Sequence, residues 1–101
     1  MATFNGLQME VIRWATARKI IPNSTPLAQA IKTAEETAEL LAALSKGDIK
    51  EARDAYGDIL VTIIIGAALA DVDLVDCLAE AYQEIKDRKG YLTKDGIFVK
   101  E

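Results

Sequence analysis

The chain has 101 residues, half of them hydrophobic, and a formal net charge of −4 from 16 acidic and 12 basic side chains. This length accommodates one domain and excludes two, so residues 1–101 are predicted to form a single domain. The acidic balance makes a nucleic-acid polymer or an anionic membrane a poor partner, and the absence of histidine excludes His-based acid–base catalysis and His-ligated zinc.

A first helix is predicted over about residues 5–19, where Leu7, Val11 and Trp14 recur on one face. The N-terminus lacks the basic region and apolar stretch of a signal peptide. Trp14 is either a core anchor of this helix or a wall on which a planar base stacks. Arg18 either complements the helix dipole or contacts a substrate.

A second helix is predicted over about residues 26–46. Thr25 supplies the N-cap, Pro26 occupies the first helical position, and Gly47 ends the helix. One side of this helix is apolar and consists of Leu27, Ile31, Ala34, Ala38 and Leu41.

Three glutamates lie close together in this helix, within the sequence KTAEETAELLAAL. Glu36 and Glu39 share a stripe with Lys32, and leucines lie just beyond that stripe. These two carboxylates are therefore flanked by apolar surface rather than by other solvated residues. Glu35 points in another direction.

A third helix is predicted over about residues 48–70, with Asp48 as its N-cap. Asp54 and Asp58 are four positions apart and therefore share a face. After Asp58 the helix is apolar all round, which indicates burial, and an unpaired charge at the edge of a core is expensive. Gly57 lowers helix propensity by roughly 1 kcal/mol relative to Ala, so we expect another helix or a ligand to approach it closely.

A fourth helix is predicted over about residues 73–89, followed by a β-hairpin that turns at residues 94–96. Short connections between long helices favour antiparallel neighbours. The predicted fold is all-α, an antiparallel four-helix bundle with a short C-terminal β-hairpin tail. The apolar run over residues 59–70 is too short for a bilayer, which needs roughly 20 residues, and we expect a soluble, cytoplasmic protein.

Antiparallel packing of the second and third helices brings Glu36 and Glu39 opposite Asp54 and Asp58. Four carboxylates in an apolar setting repel one another unless they are protonated or bound to cations. With oxygen ligands only, Mg²⁺ or Mn²⁺ is the natural cation, and such sites leave coordination positions for phosphate oxygens. The residues suggest a metal-dependent site for a phosphorylated small molecule, and the alternative is a pair of solvated helix faces.

The segments EETAEL and DAYGDILVTI resemble the motifs of the MazG-like, all-α nucleoside triphosphate pyrophosphohydrolases, in which an EExxE helix precedes an acidic pair and an apolar stretch. The segments WATARKIIPNSTPLAQ and CLAEAYQEIKDRKGYLTKDGIFVKE are similar to a short, single-domain branch of that family, often found in phages. The resemblance covers nearly the whole chain. It implies hydrolysis of nucleoside triphosphates, usually deoxynucleotides, to the monophosphate and pyrophosphate.

The resemblance also implies a metal site that holds Mg²⁺, with Mn²⁺ as the substitute. Glu36 and Glu39 match the acids of ExxE, and Asp58 matches the final acid of the second motif, ExxD. The Glu of ExxD falls at Ala55, which cannot bind metal. Asp54, which shares a helix face with Asp58, is the candidate replacement.

Glu35 matches the first Glu of EExxE, and the resemblance implies that it either supports the metal ligands or activates water. The substrate-binding candidates are Trp14, Arg18, Lys32, Lys86 and Arg88. Members of the family are dimers or tetramers, so we expect a homo-dimer or homo-tetramer.

Two other classes of protein compete with this interpretation. A non-catalytic helical interaction module of the same fold would use the acids to bind a basic partner, and Ala55 is the residue that favours it. A ferritin-like di-iron protein is disfavoured, because it requires Glu-x-x-His and the chain has no histidine.

Overall fold

The computed structural model describes residues 1–101 and contains five helices and two short strands. The helices are α1 (Phe4–Ala17), α2 (Ile20–Asn23), α3 (Pro26–Lys46), α4 (Ile49–Leu69) and α5 (Leu74–Ile85), and the strands are β1 (Gly90–Leu92) and β2 (Phe98–Lys100). The two strands pair antiparallel, with Tyr91 opposite Val99. The predicted all-α class with a C-terminal β-hairpin is confirmed.

An antiparallel hairpin of α3 and α4 is the centre of the molecule, and side-chain caps define its ends. The Thr25 hydroxyl accepts a hydrogen bond from Ala28 N at 3.0 Å, and Asp48 Oδ1 accepts one from Glu51 N at 3.0 Å. Gly47 joins the helices in the left-handed conformation, with φ of 72°, which glycine adopts without a steric penalty. The predicted bounds of the second helix agree with those of α3.

The core consists largely of small residues, and three of them are alanines of the two central helices, α3 and α4. The buried residues are Ala15, Ala43, Ala52, Ala55, Ile64, Ile65, Glu36 and Thr62. Thr33 Oγ1 of α3 lies 2.7 Å from Thr62 Oγ1 of α4, a hydrogen bond that joins the two helices. Small side chains let helix backbones approach closely, so polar groups on facing helices also come within reach.

Two predicted helices end earlier in the structure. The first stops at Ala17, because Lys19 adopts a left-handed conformation with φ of 64° and a separate short helix, α2, follows. The fourth stops at Ile85, and Arg88 N donates a hydrogen bond to the Ile85 carbonyl in the turn that follows. β1 then starts at Gly90, where a Cβ would collide with β2, so only glycine fits at this position.

The sides of α3 and α5 that carry most apolar residues are exposed within the chain. The buried side of α3 carries Glu36 and Ala43, whereas Leu27, Ile31 and Leu41 are exposed. All of α5 after its half-buried first residue is exposed, and α5 makes no extensive contact with another helix. The packed part of one chain therefore consists of α1, α2, α3 and α4, without the fourth predicted helix of the bundle.

Two further observations bear on the sequence predictions. A Cβ added at Gly57 would have no atom within 4 Å, so no other helix of the chain approaches this glycine. Of the two expected neighbours, the helix is wrong within one chain, and the ligand stays a prediction. No helix is long and apolar enough to cross a membrane.

Candidate active site

Glu36 is a buried carboxylate between the two central helices. It is 7% exposed, and its Oε2 has no hydrogen-bond partner. The other oxygen, Oε1, lies 3.5 Å from the ammonium nitrogen of Lys32. A buried carboxylate oxygen without a partner is costly, because it has lost its water and gained nothing in exchange. This atom is the strongest indication of a binding site in the molecule.

Glu39 and Asp58 share the electrostatic environment of Glu36. The pKa of Glu39 is raised, first by a side-chain hydrogen bond with Glu36 and then by its negative charge. Two carboxyl groups can share a hydrogen bond only when one is protonated, so Glu36 Oε2 has no partner when both are ionised. The pKa of Asp58 is raised by burial and then by the charges of Asp54 and Glu36. The acids of α3 and α4 therefore repel one another across the helix contact.

Lys32 offsets part of this negative charge. Its Nζ lies 3.3 Å from Glu35 Oε2 and 3.5 Å from Glu36 Oε1, and its pKa is raised, first by the hydrogen bond with Glu35. Its charge lowers the pKa values of Glu39 and Asp58, but not enough to cancel the effect of the neighbouring acids. Glu35 is exposed, and its carboxylate shares the Lys32 ammonium with that of Glu36.

The residues present fit a hard divalent cation in their chemistry. Every available ligand is a carboxylate oxygen, and one buried oxygen lacks a partner. The structure contains no group of three or more acidic side chains arranged to hold one ion. Two features fit Mg²⁺ or Mn²⁺. The available ligands are all oxygen atoms, and a cation would relieve the repulsion between the carboxylates.

Ala55, at the position where the motif ExxD has glutamate, is part of the packing between helices. Ala55 is 3% exposed and lies on the side of α4 that carries Thr62, which contacts α3. Asp54 is exposed, and its charge is among the causes that raise the pKa of Asp58. Asp54 thus lies at the rim of the acidic cluster, whereas the position of Ala55 is filled by helix packing.

A cavity beside Asp58 connects the acidic cluster to α1. Its volume is about 390 Å³, and it is lined by Leu7, Glu10, Val11, Trp14, Asp58 and Val61. Trp14 is 45% exposed, so it is not a buried core anchor, and the Arg18 guanidinium carbon lies 5.1 Å from the centroid of its ring. This space is an open depression that places an aromatic ring and a carboxylate on one apolar surface.

Two candidate residues are not brought to the acidic cluster within the chain. Lys86 and Arg88 follow α5, which does not pack extensively on α3 or α4, and neither is among the groups that shift the pKa values of the clustered acids. The structure thus brings together Glu36, Glu39, Asp58 and Lys32, with Asp54 at the rim and Trp14 across the cavity.

Sequence reasoning did not identify Glu10, Val61 or the Thr33–Thr62 pair. Glu10 precedes Trp14 by four positions, which places both on one side of α1, and this spacing could have revealed it as a cavity residue. The contact between Thr33 and Thr62 joins residues distant in sequence, and no local pattern signals it.

Comparisons with known proteins agree with this fold. The structure superposes with a TM-score of 0.74 on a MazG-like pyrophosphohydrolase of cyanophage S-2L, solved bound to dGDP and three catalytic Mn²⁺ ions per active site, over 100% of this chain and 99% of that chain at 22% identity. The resemblance to the MazG-like all-α fold is confirmed.

The chain also matches a curated protein of Haemophilus phage HP1 (strain HP1c1), an uncharacterized 18.2 kDa protein from the rep-hol intergenic region. The two are 33% identical over 75 residues, which is 74% of this chain and 46% of the relative. The chain therefore spans about half the length of this relative. The phage origin of both similar proteins agrees with the phage-type branch suggested by the sequence.

A family model described as phosphoribosyl-ATP pyrophosphohydrolase matches residues 16–84. The matched range contains all the acids of the cluster, from Glu35 to Asp58, and leaves out Trp14, Lys86 and Arg88. The family description agrees with the enzyme class predicted from the sequence. The chain belongs to the phosphoribosyl-ATP pyrophosphohydrolase family, whose name denotes hydrolysis of a pyrophosphate bond in a nucleotide.

Proposed function

We propose that the chain is a divalent-cation-dependent nucleoside triphosphate pyrophosphohydrolase that converts a (deoxy)nucleoside triphosphate and water into the monophosphate and pyrophosphate. The observation that carries the proposal is the unpartnered buried oxygen of Glu36, next to Glu39 and Asp58. The pKa of Glu39 is raised first by its hydrogen bond with Glu36, and that of Asp58 first by burial and then by neighbouring charges. Membership of a pyrophosphohydrolase family supports it. The Mn²⁺ and dGDP bound by the cyanophage neighbour support a divalent cation and a nucleotide ligand.

In this proposal Glu36, Glu39 and Asp58 hold the cation, and Asp54 contributes from the rim. When bound, a divalent cation supplies positive charge that neutralises these acids and polarises the phosphate oxygens. Mg²⁺ is the proposed ion, with Mn²⁺ as its substitute. The four acids come from two helices joined by a hydrogen bond between threonines, so their spacing depends on how those helices pack.

Glu35 is the proposed proton acceptor. It is exposed, and its Oε2 lies 3.3 Å from Lys32 Nζ, which also lies 3.5 Å from Glu36 Oε1. The water oxygen attacks the α-phosphorus, the bond from that phosphorus to the oxygen shared with the β-phosphate breaks, and pyrophosphate leaves with the electron pair. The proton released by the water passes to Glu35 and then to solvent.

The remaining substrate contacts follow from the surroundings of the cluster. Trp14 is proposed to form the wall against which the base lies, and Arg18, which stacks on that ring, contacts the nucleotide. Lys86 and Arg88 are proposed to reach phosphate oxygens from a second copy, because their own chain does not bring them to the acids. We also propose a homo-oligomer and a cytoplasmic location, where nucleoside triphosphates and Mg²⁺ are available.

Pyrophosphate release from a panel of substrates tests the proposal. The panel contains ribo- and deoxynucleoside triphosphates and phosphoribosyl-ATP, each assayed without metal, with Mg²⁺ and with Mn²⁺. We expect metal-dependent release by the wild type and a loss of more than about 100-fold in Glu39→Gln, because an acid of the metal site is removed. Glu80→Gln, an exposed acid on α5, is the matched control and should retain full activity.

Two outcomes would change the assignment. Turnover of phosphoribosyl-ATP alone would assign the substrate from which the family takes its name and contradict the proposed nucleoside triphosphate. No release from any substrate with either metal would favour a non-catalytic helical module, with Ala55 as the leading explanation.

A further inference from the structure

Lys32 is the only basic side chain that forms an ion pair with an acid of the cluster. Its ammonium nitrogen lies 3.5 Å from Glu36 Oε1 and also contacts Glu35 Oε2 at 3.3 Å. The one other ion pair of the chain joins two residues of α1, Arg13 and Glu10. The negative charge between α3 and α4 is therefore offset by a single lysine, which belongs to α3 itself.

The charge of Lys32 acts on the whole cluster rather than on one acid. The pKa of Glu39 is raised first by its hydrogen bond with Glu36, and the pKa of Asp58 is raised first by burial. Lys32 is the one basic group whose charge lowers both pKa values. Its ammonium thus supplies, at lower strength, the positive charge that a bound cation would supply.

The Lys32 side chain can leave this position at little cost. It is 54% exposed, whereas the side chain of Glu36 is 10% exposed, so the ammonium approaches the buried carboxylate from the solvent side. Both of its nitrogen–oxygen distances are at the long end of ordinary hydrogen bonds. Exposed ion pairs within one helix contribute little to stability, because water competes for both charges.

The carboxylates must rearrange before they can hold one ion together. No three acids are arranged for this, and Glu36 has one oxygen beside Lys32 and one without a partner. A divalent cation bound to Glu36 would lie close to the ammonium that contacts the same carboxylate. Two positive charges so close to each other repel strongly beside a buried group, where water screens them poorly.

We propose that Lys32 is a tethered counter-ion that a divalent cation must displace from Glu36, so that this lysine lowers the affinity of the empty site for metal. The inference rests on the metal site of the proposed function and adds a control of its occupancy. The displaced ammonium stays attached to α3, where a phosphate oxygen of the nucleotide is a suitable new partner. Its departure also frees Glu35, the proposed proton acceptor. Metal and nucleotide should therefore bind more tightly together than separately.

Binding of Mn²⁺ in the absence of nucleotide tests the proposal. Electron paramagnetic resonance of free Mn²⁺ measures this binding without any turnover. We expect Lys32→Met to bind Mn²⁺ at least about 10-fold more tightly than the wild type, because loss of a neighbouring positive charge relieves repulsion. Lys32→Arg keeps the charge and should remain within about 3-fold of the wild type.

Lys46→Met is the matched control. Lys46 is exposed, lies on the same helix about 15 Å along its axis from Glu36, and forms no ion pair. This substitution changes the net charge by the same amount as Lys32→Met. An unchanged Mn²⁺ affinity in Lys46→Met would show that the effect depends on the position of the charge.

Thermal melts supply a second readout, in which the sign of the effect changes. In metal-free buffer Lys32→Met should melt below the wild type, because the cluster loses its only counter-charge. As Mn²⁺ is added the difference should shrink and then reverse, since the variant that binds the ion more tightly is stabilised more. A purely structural role of Lys32 predicts the same deficit in Tm with and without Mn²⁺.

Three results would overturn the inference. Mn²⁺ binding by Lys32→Met that is equal to or weaker than that of the wild type would show that the lysine does not compete with the ion. Equal tightening in Lys46→Met would show that net charge alone is responsible. Absence of Mn²⁺ binding by both the wild type and Lys32→Met would remove the metal site, and with it the proposed function.

The inference and the proposed function can also fail separately. Unchanged Mn²⁺ affinity in Lys32→Met, together with metal-dependent pyrophosphate release by the wild type, contradicts the inference alone. Tighter Mn²⁺ binding by Lys32→Met, with no pyrophosphate release from any nucleotide by the wild type, supports the exchange and contradicts the proposed activity.

Discussion

At the residue scale, the properties of the site arise from carboxyl groups that repel one another. The buried Glu36 has one oxygen near Lys32 and one without a partner, and it contributes to the raised pKa values of Glu39 and Asp58. Removing any of these acids should therefore relieve repulsion in the metal-free protein. Residues selected for binding commonly carry such a cost in stability.

The pH dependence of the free energy of unfolding tests whether the ionised Asp58 destabilises the fold. Because the pKa of Asp58 is raised in the folded protein, protonation of this side chain stabilises the fold. This stabilisation is complete below the unfolded pKa of Asp58 and is lost as the pH rises through its folded pKa. In metal-free buffer we expect the wild type to lose stability as the pH rises above about 4, and Asp58→Asn to lose less and to melt higher at neutral pH. Thermal melts across this range measure the effect.

Asp87→Asn is the control, since Asp87 lies in the exposed turn after α5. Its pH profile should match that of the wild type. A lower Tm for Asp58→Asn in metal-free buffer at neutral pH would contradict the repulsion argument.

Gly57 provides a second test at this scale. It lies inside α4 with open space where a Cβ would be, so Gly57→Ala should stabilise the fold by about 0.5–1 kcal/mol through helix propensity. Gly66→Ala is the matched control in the same helix. Its Cβ would lie 3.3 Å from Gln29 Cβ, so this substitution should increase the free energy of unfolding by less. Urea denaturation measures both. Destabilisation by Gly57→Ala would show that a second chain occupies the space.

At the scale of the elements, the α3–α4 hairpin determines how the acids are arranged. The hydroxyls of Thr33 and Thr62 lie 2.7 Å apart and fix the register of the two helices. Each hydroxyl also lies within hydrogen-bond distance of a carbonyl of its own helix, so each has an alternative partner when the other is removed.

A double-mutant cycle measures this register contact. We expect Thr33→Val and Thr62→Val each to cost about 1 kcal/mol, because each removes a hydrogen bond between helices. The double variant should cost clearly less than the sum of the two, since both partners are then apolar. Additive costs in urea denaturation would show that the two hydroxyls act independently.

The sequence predicted well the helix ends that depend on neighbouring residues. The caps at Thr25, Gly47 and Asp48 depend on neighbouring residues, and they placed both ends of α3 and the start of α4. Helical periodicity and antiparallel packing also predicted that Glu36, Glu39 and Asp58 lie near one another. Their charges do raise the pKa values of Glu39 and Asp58, but no three acids are arranged to hold one ion. Helix ends were less predictable, and α5 ends at Ile85 rather than at residue 89 as predicted.

The buried face of α3 could not be predicted from hydrophobicity. The wheel shows an apolar side, but the structure buries the side that carries Glu36 and exposes Leu27 and Ile31. A pattern within one chain does not distinguish an apolar side that faces the core from one that faces a second copy. The same limit explains why the fourth helix was predicted to pack in the bundle although α5 makes no extensive contact with another helix of its chain, and why the roles of Lys86 and Arg88 are proposals.

At the scale of the whole molecule, ligand binding should control stability. The metal-free fold contains acids that repel one another and a small core rich in alanine. A cation and a nucleotide that bind only the folded state stabilise it by mass action. We expect Mg²⁺ with a bound nucleotide at 100 times its Kd to increase the free energy of unfolding by about 2.7 kcal/mol.

Thermal shift assays check this expectation, with Glu39→Gln as the matched variant. That variant should respond weakly to Mg²⁺ and nucleotide, whereas Glu80→Gln should respond as the wild type does. Equal shifts in all three proteins would place the binding site elsewhere.

The close packing of α3 on α4 has a consequence for how the site can change over evolutionary time. Ala55 is buried on the side of α4 that faces α3, so a glutamate there would need both space and a partner for its charge. Ala55→Glu alone should therefore be a poor folder, although it restores the acid of the motif. A lineage that acquires an acid here must first acquire room on α3, and we expect position 55 and the α3 residues opposite it to change together rather than one at a time.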